Sequence, residues 1–329
     1  MMSTGNFSGI QAAIQKSYQT GNYQAAYALA TEQLAHYPQQ APLLEYWRIC
    51  MAANLGEEDL ALDILEQTLA REIWYAGTLL RKSPALEKFQ GHGRFETLVL
   101  TSQALQAQAQ SERFPLLTLR PEGECHSVET RCPCLLGLHA NNGTVESSLA
   151  FWQPAAQAGW LVSAPQSSQS VWVDAYVWDD YAIARQEVST HLASLDARYA
   201  IDPEQVVIAG HSMGGEVAIR LALEGVLPLT GILAIAPNGP LLDDPANWQP
   251  LLSEAAERIA SGLPELRAVF VVGEHDRTIP VEQLESFADM LIDHSIPTAV
   301  EVVPAAGYEY TPSYDAAILR SLDYLTEVQ

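Results

Sequence analysis

One serine in this sequence has the surroundings of a nucleophile. The stretch VVIAGHSMGGEVAI, residues 206–219, runs from a short apolar segment through Gly210, Ser212 and Gly214 into a segment with helical character. A strand followed by Gly-x-Ser-x-Gly and a helix presents a serine hydroxyl at a sharp, strained turn, and the turn needs small neighbouring residues. This context predicts that Ser212 is a catalytic nucleophile.

A serine hydroxyl attacks a carbonyl carbon efficiently only when a base takes its proton. The chain contains 8 histidines, and His211 directly precedes the serine. At a turn of this kind the side chain of His211 should point away from the hydroxyl, so we interpret it as structural. The base must then come from another element of the fold.

The elements that would position these groups follow from the pattern of residues 111–329. Short apolar runs alternate with amphipathic helical segments, which predicts a mostly parallel sheet covered by helices on both faces. Ligands bind such sheets at the carboxyl ends of the strands. The strand-like runs are 116–119, 134–138, 160–163, 206–209, 231–236, 268–272 and 299–303, and the helical segments are 181–199, 213–224, 254–261, 281–294 and 314–326.

Residues 1–110 have a different pattern, with no convincing strand. Residues 21–38 and 55–72 carry apolar residues at helical spacing, and Gly21 aligns with Gly56 at an offset of 35 residues. A helical repeat of this length is similar to tetratricopeptide hairpins. Because only two repeats are visible, we expect this helical domain to depend for its stability on contacts with the domain that follows it. A polar segment, 103–111, then marks the linker.

Residues 113–329 resemble the α/β-hydrolase superfamily, particularly its phospholipase/carboxylesterase and dienelactone-hydrolase-like branches. The resemblance implies an α/β-hydrolase fold, with Ser212 as the nucleophile and the amide of Met213 as one oxyanion donor. The second donor comes from the loop after an early strand, where the family usually has His-Gly. Here LLGLHANNGT places His139-Ala140, so the amide of Ala140 or of Asn141 would point at the oxyanion. An ordinary turn is the alternative for this loop.

The resemblance also implies where the other two members of a Ser-His-Asp unit lie. The acid follows a late strand, and AVFVVGEHDRTIP, residues 268–280, offers Asp276 there. The histidine follows the last strand, usually as Gly-His-x-Phe/Tyr. In VVPAAGYEYTP, residues 302–312, the corresponding position is Tyr308, and no histidine occurs after His294.

This substitution matters because a tyrosine hydroxyl has a pKa of about 10 and is protonated at neutral pH. Loss of the base from such a unit reduces the rate by roughly 10⁴ to 10⁶. Three explanations remain open. Another histidine replaces the base, namely His139, His275 or His92; the site is degenerate; or the last loop is misaligned.

Aromatic side chains in SVWVDAYVWDDY, residues 170–181, bear on the substrate. Family members carry an aromatic-rich loop here that lines the acyl side of the pocket. We therefore place Trp172 and Trp178 among the substrate-binding residues, with His139 and Asn141, and expect an apolar or aromatic ligand group. Alternatively, the rings only pin a long loop to the sheet.

The composition excludes several classes of function. A net charge of −23 repels nucleic acid and anionic membrane surfaces, and no run of about 18 apolar residues is present to span a membrane. We interpret the four cysteines as buried or reduced thiols of a cytoplasmic protein. No metal cluster and no phosphate-binding loop is evident, so no cofactor is implied.

Two functional hypotheses follow. The first is a serine hydrolase of carboxylic esters or thioesters, impaired by the tyrosine at position 308. The second is a non-catalytic protein, a pseudoenzyme, whose pocket senses a small molecule while the helical repeats bind a protein partner.

Overall fold

The computed structural model describes residues 7–109, 116–120, 125, 129–261 and 265–327. These residues fall into two compact units. The first comprises residues 7–109 together with 170–173, and the second comprises the remaining described residues. The sequence placed the division at residues 110 and 111 and did not predict the assignment of 170–173.

The first unit is built from helices. Helices α1 (Phe7–Gln19) and α3 (Ala41–Leu55) are each followed by a glycine whose backbone is in the left-handed region. These glycines are Gly21, with φ 73°, and Gly56, with φ 84°. This conformation ends a helix readily only at residues such as glycine. The next helices, α2 (Tyr23–Gln33) and α4 (Glu58–Leu69), therefore begin 35 positions apart, which is the offset of the sequence repeat. The helices are α1 (Phe7–Gln19), α2 (Tyr23–Gln33), α3 (Ala41–Leu55), α4 (Glu58–Leu69), α5 (Gly77–Lys82) and α6 (Gly93–Ala109).

The second unit is organised around a seven-stranded sheet in the order β1-β3-β2-β6-β7-β8-β9, with β1 antiparallel to β3 and the other pairs parallel. The predicted mostly parallel sheet is confirmed. Its strands are β1 (Leu116–Leu119), β2 (Cys132–Leu138), β3 (Leu161–Pro165), β6 (Ile201–His211), β7 (Gly231–Ile235), β8 (Arg267–Gly273) and β9 (Thr298–Val303); two short strands, β4 (Ser170–Trp172) and β5 (Ala175–Tyr176), lie outside it.

Helices cover both faces of this sheet. Alternate residues of β6 enter different cores: Ile208 packs with one set of helices, and Val207 and Ala209 pack with the other. This alternation follows from the two-residue period of a strand. Helices α8 (Tyr181–Asp196), α9 (Met213–Leu223), α11 (Trp248–Ala260) and α12 (Val281–Asp293) contribute to the first core, as does the short α10 (Pro240–Asp243), whereas α7 (Val145–Gln157) and α13 (Ser313–Thr326) contribute to the second.

Strand β4 belongs to the helical unit although its sequence neighbours belong to the sheet unit. The amide of Ala76 donates a hydrogen bond to the carbonyl of Val171 at 2.7 Å. The ring of Trp172 stacks on Tyr46, with the ring centroids 6.5 Å apart. Trp172 therefore packs in the helical unit and not on the sheet to which the alternative interpretation pinned it, and its binding role stays a prediction.

The expectation for the cysteines needs a correction. Cys125 and Cys132 form a disulfide, whereas Cys50 and Cys134 are free and buried. Disulfides persist mainly in oxidising compartments. The cytoplasmic location was inferred from four cysteines read as thiols. Because Cys125 and Cys132 are paired in a disulfide, the cysteines no longer support that location.

The described residues lack two kinds of feature. No helix among them is long and apolar enough to cross a membrane. In the same part of the chain, no three His, Cys, Asp or Glu side chains converge as a metal site requires.

Candidate active site

Ser212 occupies a strained turn between β6 and α9. Its φ of 56° and ψ of −127° lie outside the regions that non-glycine residues usually adopt. The turn is held from both sides, because the Ser212 amide donates to the carbonyl of Ile235 at 3.0 Å and the Ser212 carbonyl accepts from the amide of Gly215 at 2.9 Å. A strained residue that is fixed in this way is typical of an active site.

Two glycines allow the turn to close. A Cβ atom on Gly210 would lie 2.2 Å from the carbonyl carbon of Gly214, and a Cβ on Gly214 would lie 2.4 Å from the carbonyl oxygen of His139. Both distances are far shorter than van der Waals contact. The first turn of α9, which begins at Met213, is therefore pressed against the end of β2. This packing brings the predicted oxyanion loop and the nucleophile together.

The loop after β2 forms a turn. The carbonyl of Ala140 accepts a hydrogen bond from the amide of Gly143 at 2.9 Å, and Asn142 adopts a φ of 59°. The side-chain oxygen of Asn141 is buried and has no hydrogen-bond partner among the described residues. Roles for the amides of Ala140 and Met213 as oxyanion donors stay predictions.

His139 is buried, and both of its ring nitrogens are engaged. Its Nε2 accepts from the amide of Ser167 at 3.3 Å and lies 3.2 Å from the side-chain nitrogen of Gln166. The proton must then be on Nδ1, which donates to the carbonyl of Ala140 at 2.8 Å. Burial lowers the pKa of His139 to about 4. In this arrangement neither nitrogen is free to accept the proton of Ser212.

Asp276 follows β8, as the sequence predicted for the acid. Its Oδ1 accepts a hydrogen bond from the amide of Thr278 at 2.7 Å. Its Oδ2 is buried and has no hydrogen-bond partner in the described part of the chain. A buried carboxylate oxygen without a donor is unusual. In a complete Ser-His-Asp unit this acceptor would receive a histidine N–H.

Tyr308 reaches the nucleophile. Its side chain lies beside that of Ser212, and burial raises the pKa of the Tyr308 phenol while the neighbouring Ser212 opposes the shift. The loop is held close to the acid because the amide of His275 donates to the carbonyl of Ala306 at 2.8 Å. A Cβ atom on Gly273 would lie 2.5 Å from that same oxygen. The structure thus brings Ser212, Tyr308 and the loop of Asp276 together.

His211 supports the Tyr308 loop. Its ring lies 5.2 Å from that of Phe151 and 4.8 Å from that of Tyr308. Its Nε2 lies 3.2 Å from the carbonyl oxygen of Tyr308, so it must donate this bond. Burial lowers the pKa of His211 to about 4, which keeps the ring neutral. Adjacency to the serine was the only sequence signal for this contact.

Two other histidines were candidates for the base. His275 is exposed, next to the acid in sequence. His92 is exposed in the helical unit. No hydrogen bond joins the ring of His275 to Ser212, and the role of His92 stays a prediction.

Trp178 is buried at the edge of a cavity. Its indole N–H donates to the carbonyl of His139 at 2.9 Å, and its ring stacks on that histidine at 4.7 Å. The cavity measures about 610 Å³, and Trp178 and Met213 line it together with a stripe of charged residues along α9. Neither Ser212 nor Tyr308 lines it. This stripe was not predicted from the sequence, although Arg220 and Glu224 lie at helical spacing from Met213.

Comparisons with known proteins bear on the fold of the chain. Residues 113–270 match the alpha/beta hydrolase family. An uncharacterized protein from Bacillus cereus ATCC 10987 has a similar structure, with a TM-score of 0.52, 18% identity, and coverage of 97% of this chain and 98% of that one. Esterase PE8 is also similar, with a TM-score of 0.50, 17% identity, and coverage of 64% and 98%. No curated protein matches the sequence significantly. The second unit has the α/β-hydrolase fold.

Proposed function

We propose that the second unit is a serine hydrolase of carboxylic esters or thioesters whose turnover is impaired. The observation that carries this proposal is the strained turn at Ser212, whose hydroxyl meets Tyr308 where the resemblance implies a histidine. A protein gains no stability from a φ of 56° at a serine, so the strain favours a functional role.

The chemistry starts with attack of the Ser212 oxygen on the carbonyl carbon of the ester. The amides of Met213 and Ala140 would stabilise the negative charge that develops on the carbonyl oxygen. The serine proton needs an acceptor. The phenol of Tyr308 is a weak one, because burial raises its pKa above the ordinary value and it therefore stays protonated at neutral pH. Collapse of the tetrahedral intermediate would break the bond to the alcohol or thiol, which leaves with the proton, and water would then hydrolyse the acyl-serine. Without an efficient base these steps would be slow, by about 10⁴-fold or more relative to a complete unit.

A non-catalytic role is the second candidate. It is favoured by Asp276, whose Oδ2 has no partner among the described residues and so orients no base. In that case the site would bind a small apolar ligand without turning it over. The two hairpins of the first unit, at the spacing of tetratricopeptide repeats, would then bind a protein partner.

A fluorophosphonate probe separates the two candidates. We expect slow covalent labelling of the wild-type protein and none of the Ser212→Ala variant, because only an activated serine attacks phosphorus at an appreciable rate. Heat-unfolded protein is the matched control for non-specific labelling. Absence of labelling at high probe concentration would contradict the hydrolase proposal and favour the non-catalytic one.

A further inference from the structure

The charged stripe on α9 belongs to the cavity of about 610 Å³ in the second unit. Along α9 the lining side chains come from Met213, Val217, Arg220 and Glu224, which share one face of the helix. The cavity is also lined by Tyr181 and Arg185 of α8 and by Leu251 of α11. The cavity therefore combines apolar surface with guanidinium groups.

Arg220 is held in a fixed position within this cavity. Its guanidinium carbon lies 3.6 Å from the centroid of the Tyr181 ring, and its Nε donates to Glu224 at 3.0 Å. The Tyr181 hydroxyl donates to the same carboxylate at 2.8 Å, which fixes the ring. Stacking and one hydrogen bond thus orient the guanidinium, while neither of its terminal nitrogens has an acceptor among the described residues.

Arg185 adds a second cation to the cavity. It lies 3.8 Å from Glu224, which is too long for a hydrogen bond, and half of its side chain is exposed. Arg258, by contrast, is engaged, because it donates to the carbonyls of Leu223 and Glu224 at the end of α9. Two guanidinium groups whose terminal N–H donors have no hydrogen-bond acceptor among the described residues therefore line the cavity. Such donors match the two oxygens of a carboxylate.

The acidic residues of the cavity limit the charge of a ligand. One oxygen of the Glu216 carboxylate, Oε2, accepts from the amides of Leu241 and Leu242, at 2.9 and 3.2 Å. Asp179 and Glu254 line the cavity without an ion pair to Arg185 or Arg220. Their charges would repel a phosphate dianion more than a single carboxylate.

From these contacts we infer that the cavity binds an amphiphilic ligand with one carboxylate group, held by Arg220 and Arg185 while its apolar part packs on Trp178, Val217 and Leu251. Arg220 lies seven positions after Met213 along the helix, so the carboxylate binds about 10 Å from the Met213 end of the cavity. This inference goes beyond the proposed function, because binding there requires no chemistry at Ser212.

Calorimetric titration with phenylbutyrate tests the inference, and phenylbutanol is the neutral probe of the same shape. We expect phenylbutyrate to bind the full chain at least tenfold more tightly than phenylbutanol. Arg220→Gln and, separately, Arg185→Gln should each weaken phenylbutyrate binding several-fold or more. Arg320→Gln, which removes an exposed cation paired with Glu301 on the same unit, should leave it unchanged.

Three results would overturn the inference: no binding of phenylbutyrate at millimolar concentration, equal binding of phenylbutanol, or unchanged binding by both cavity variants. Inorganic phosphate that binds as tightly as phenylbutyrate would overturn the ligand class. Arg185→Gln keeps the test decisive if Arg220→Gln does not fold, because Arg185 makes no hydrogen bond that the fold uses. The Ser212→Ala variant should bind normally, so failed fluorophosphonate labelling and failed carboxylate binding are separate outcomes.

Discussion

At the scale of single residues, the proposed chemistry depends on the contact between Ser212 and Tyr308. The serine is held in a strained conformation, and the side chain beside it is a phenol whose pKa is raised by burial. Asp276 contributes a buried oxygen without a partner among the described residues. One hydrogen bond is therefore missing between the acid and the residue that should act as base.

The Tyr308→His variant should restore that hydrogen bond. We expect ester hydrolysis to rise at least tenfold, because an imidazole accepts a proton at neutral pH and its N–H can donate to Asp276. Steady-state rates on a chromogenic acetate ester measure this.

Two controls accompany the variant. Tyr308→Phe removes the hydroxyl without supplying a base and should bring no such rise. Adding Asp276→Asn to Tyr308→His should abolish most of the gain. An unchanged rate in Tyr308→His would mean that the base lies elsewhere or that Asp276 is not the acid.

The sequence predicted the positions of these residues better than their contacts. The order of strands placed Ser212, Asp276 and Tyr308 at the same edge of the sheet, because parallel strands end there together. The engagement of both nitrogens of His139 depends on Gln166 and Ser167, which lie in a loop with no periodic signal. The same holds for Oδ2 of Asp276, because local sequence cannot reveal that this oxygen has no partner among the described residues.

At the scale of elements, the junction of β6, α9 and β2 is the most constrained part of the site. A Gly214→Ala variant would place its Cβ 2.4 Å from the carbonyl oxygen of His139, so the backbone must shift. We expect it to lose fluorophosphonate labelling and about 2 kcal/mol or more of unfolding free energy.

Denaturant unfolding and probe labelling measure the two effects. Gly93→Ala is the matched control, because Gly93 begins α6, a Cβ there meets nothing within 4 Å, and alanine suits a helix. Its unfolding free energy should stay within about 0.5 kcal/mol of the wild type. Normal labelling of Gly214→Ala would contradict the tight packing at this junction.

Elements with clear periodicity were predicted and less regular ones were not. Strand β1 has the predicted bounds, and the predicted helix 213–224 corresponds to α9. Helix α7 was not predicted; it contains Pro154, which usually argues against a helix interior. Helix α11 begins at Trp248, six residues before the predicted start. It can include Pro250 because proline is tolerated in the first turn of a helix.

At the scale of the whole molecule, the charge is strongly unbalanced. The chain has 40 acidic and 17 basic residues. Repulsion among the acids favours expansion and so lowers the free energy of unfolding. Helix α12 concentrates this effect, because Glu285, Asp289 and Asp293 are exposed at spacings of four residues and no ion pair joins them to a described residue. Like charges at this spacing destabilise a helix, and an acid in its last turn opposes the helix dipole.

Added sodium chloride should therefore stabilise the protein. At about 0.1 M salt the Debye length is roughly 10 Å, so repulsion between distant acids is screened. We expect the unfolding midpoint to rise by a few degrees between very low salt and that concentration, since about 1 kcal/mol corresponds to about 2–4 °C for domains of this size. Chloride is preferable to sulfate, which also strengthens apolar burial.

The variant Glu285→Gln/Asp289→Asn/Asp293→Asn should melt at a higher temperature at low salt, and its unfolding midpoint should respond less to added salt. A midpoint that falls with sodium chloride, in either protein, would show that attractive ion pairs outweigh the repulsion.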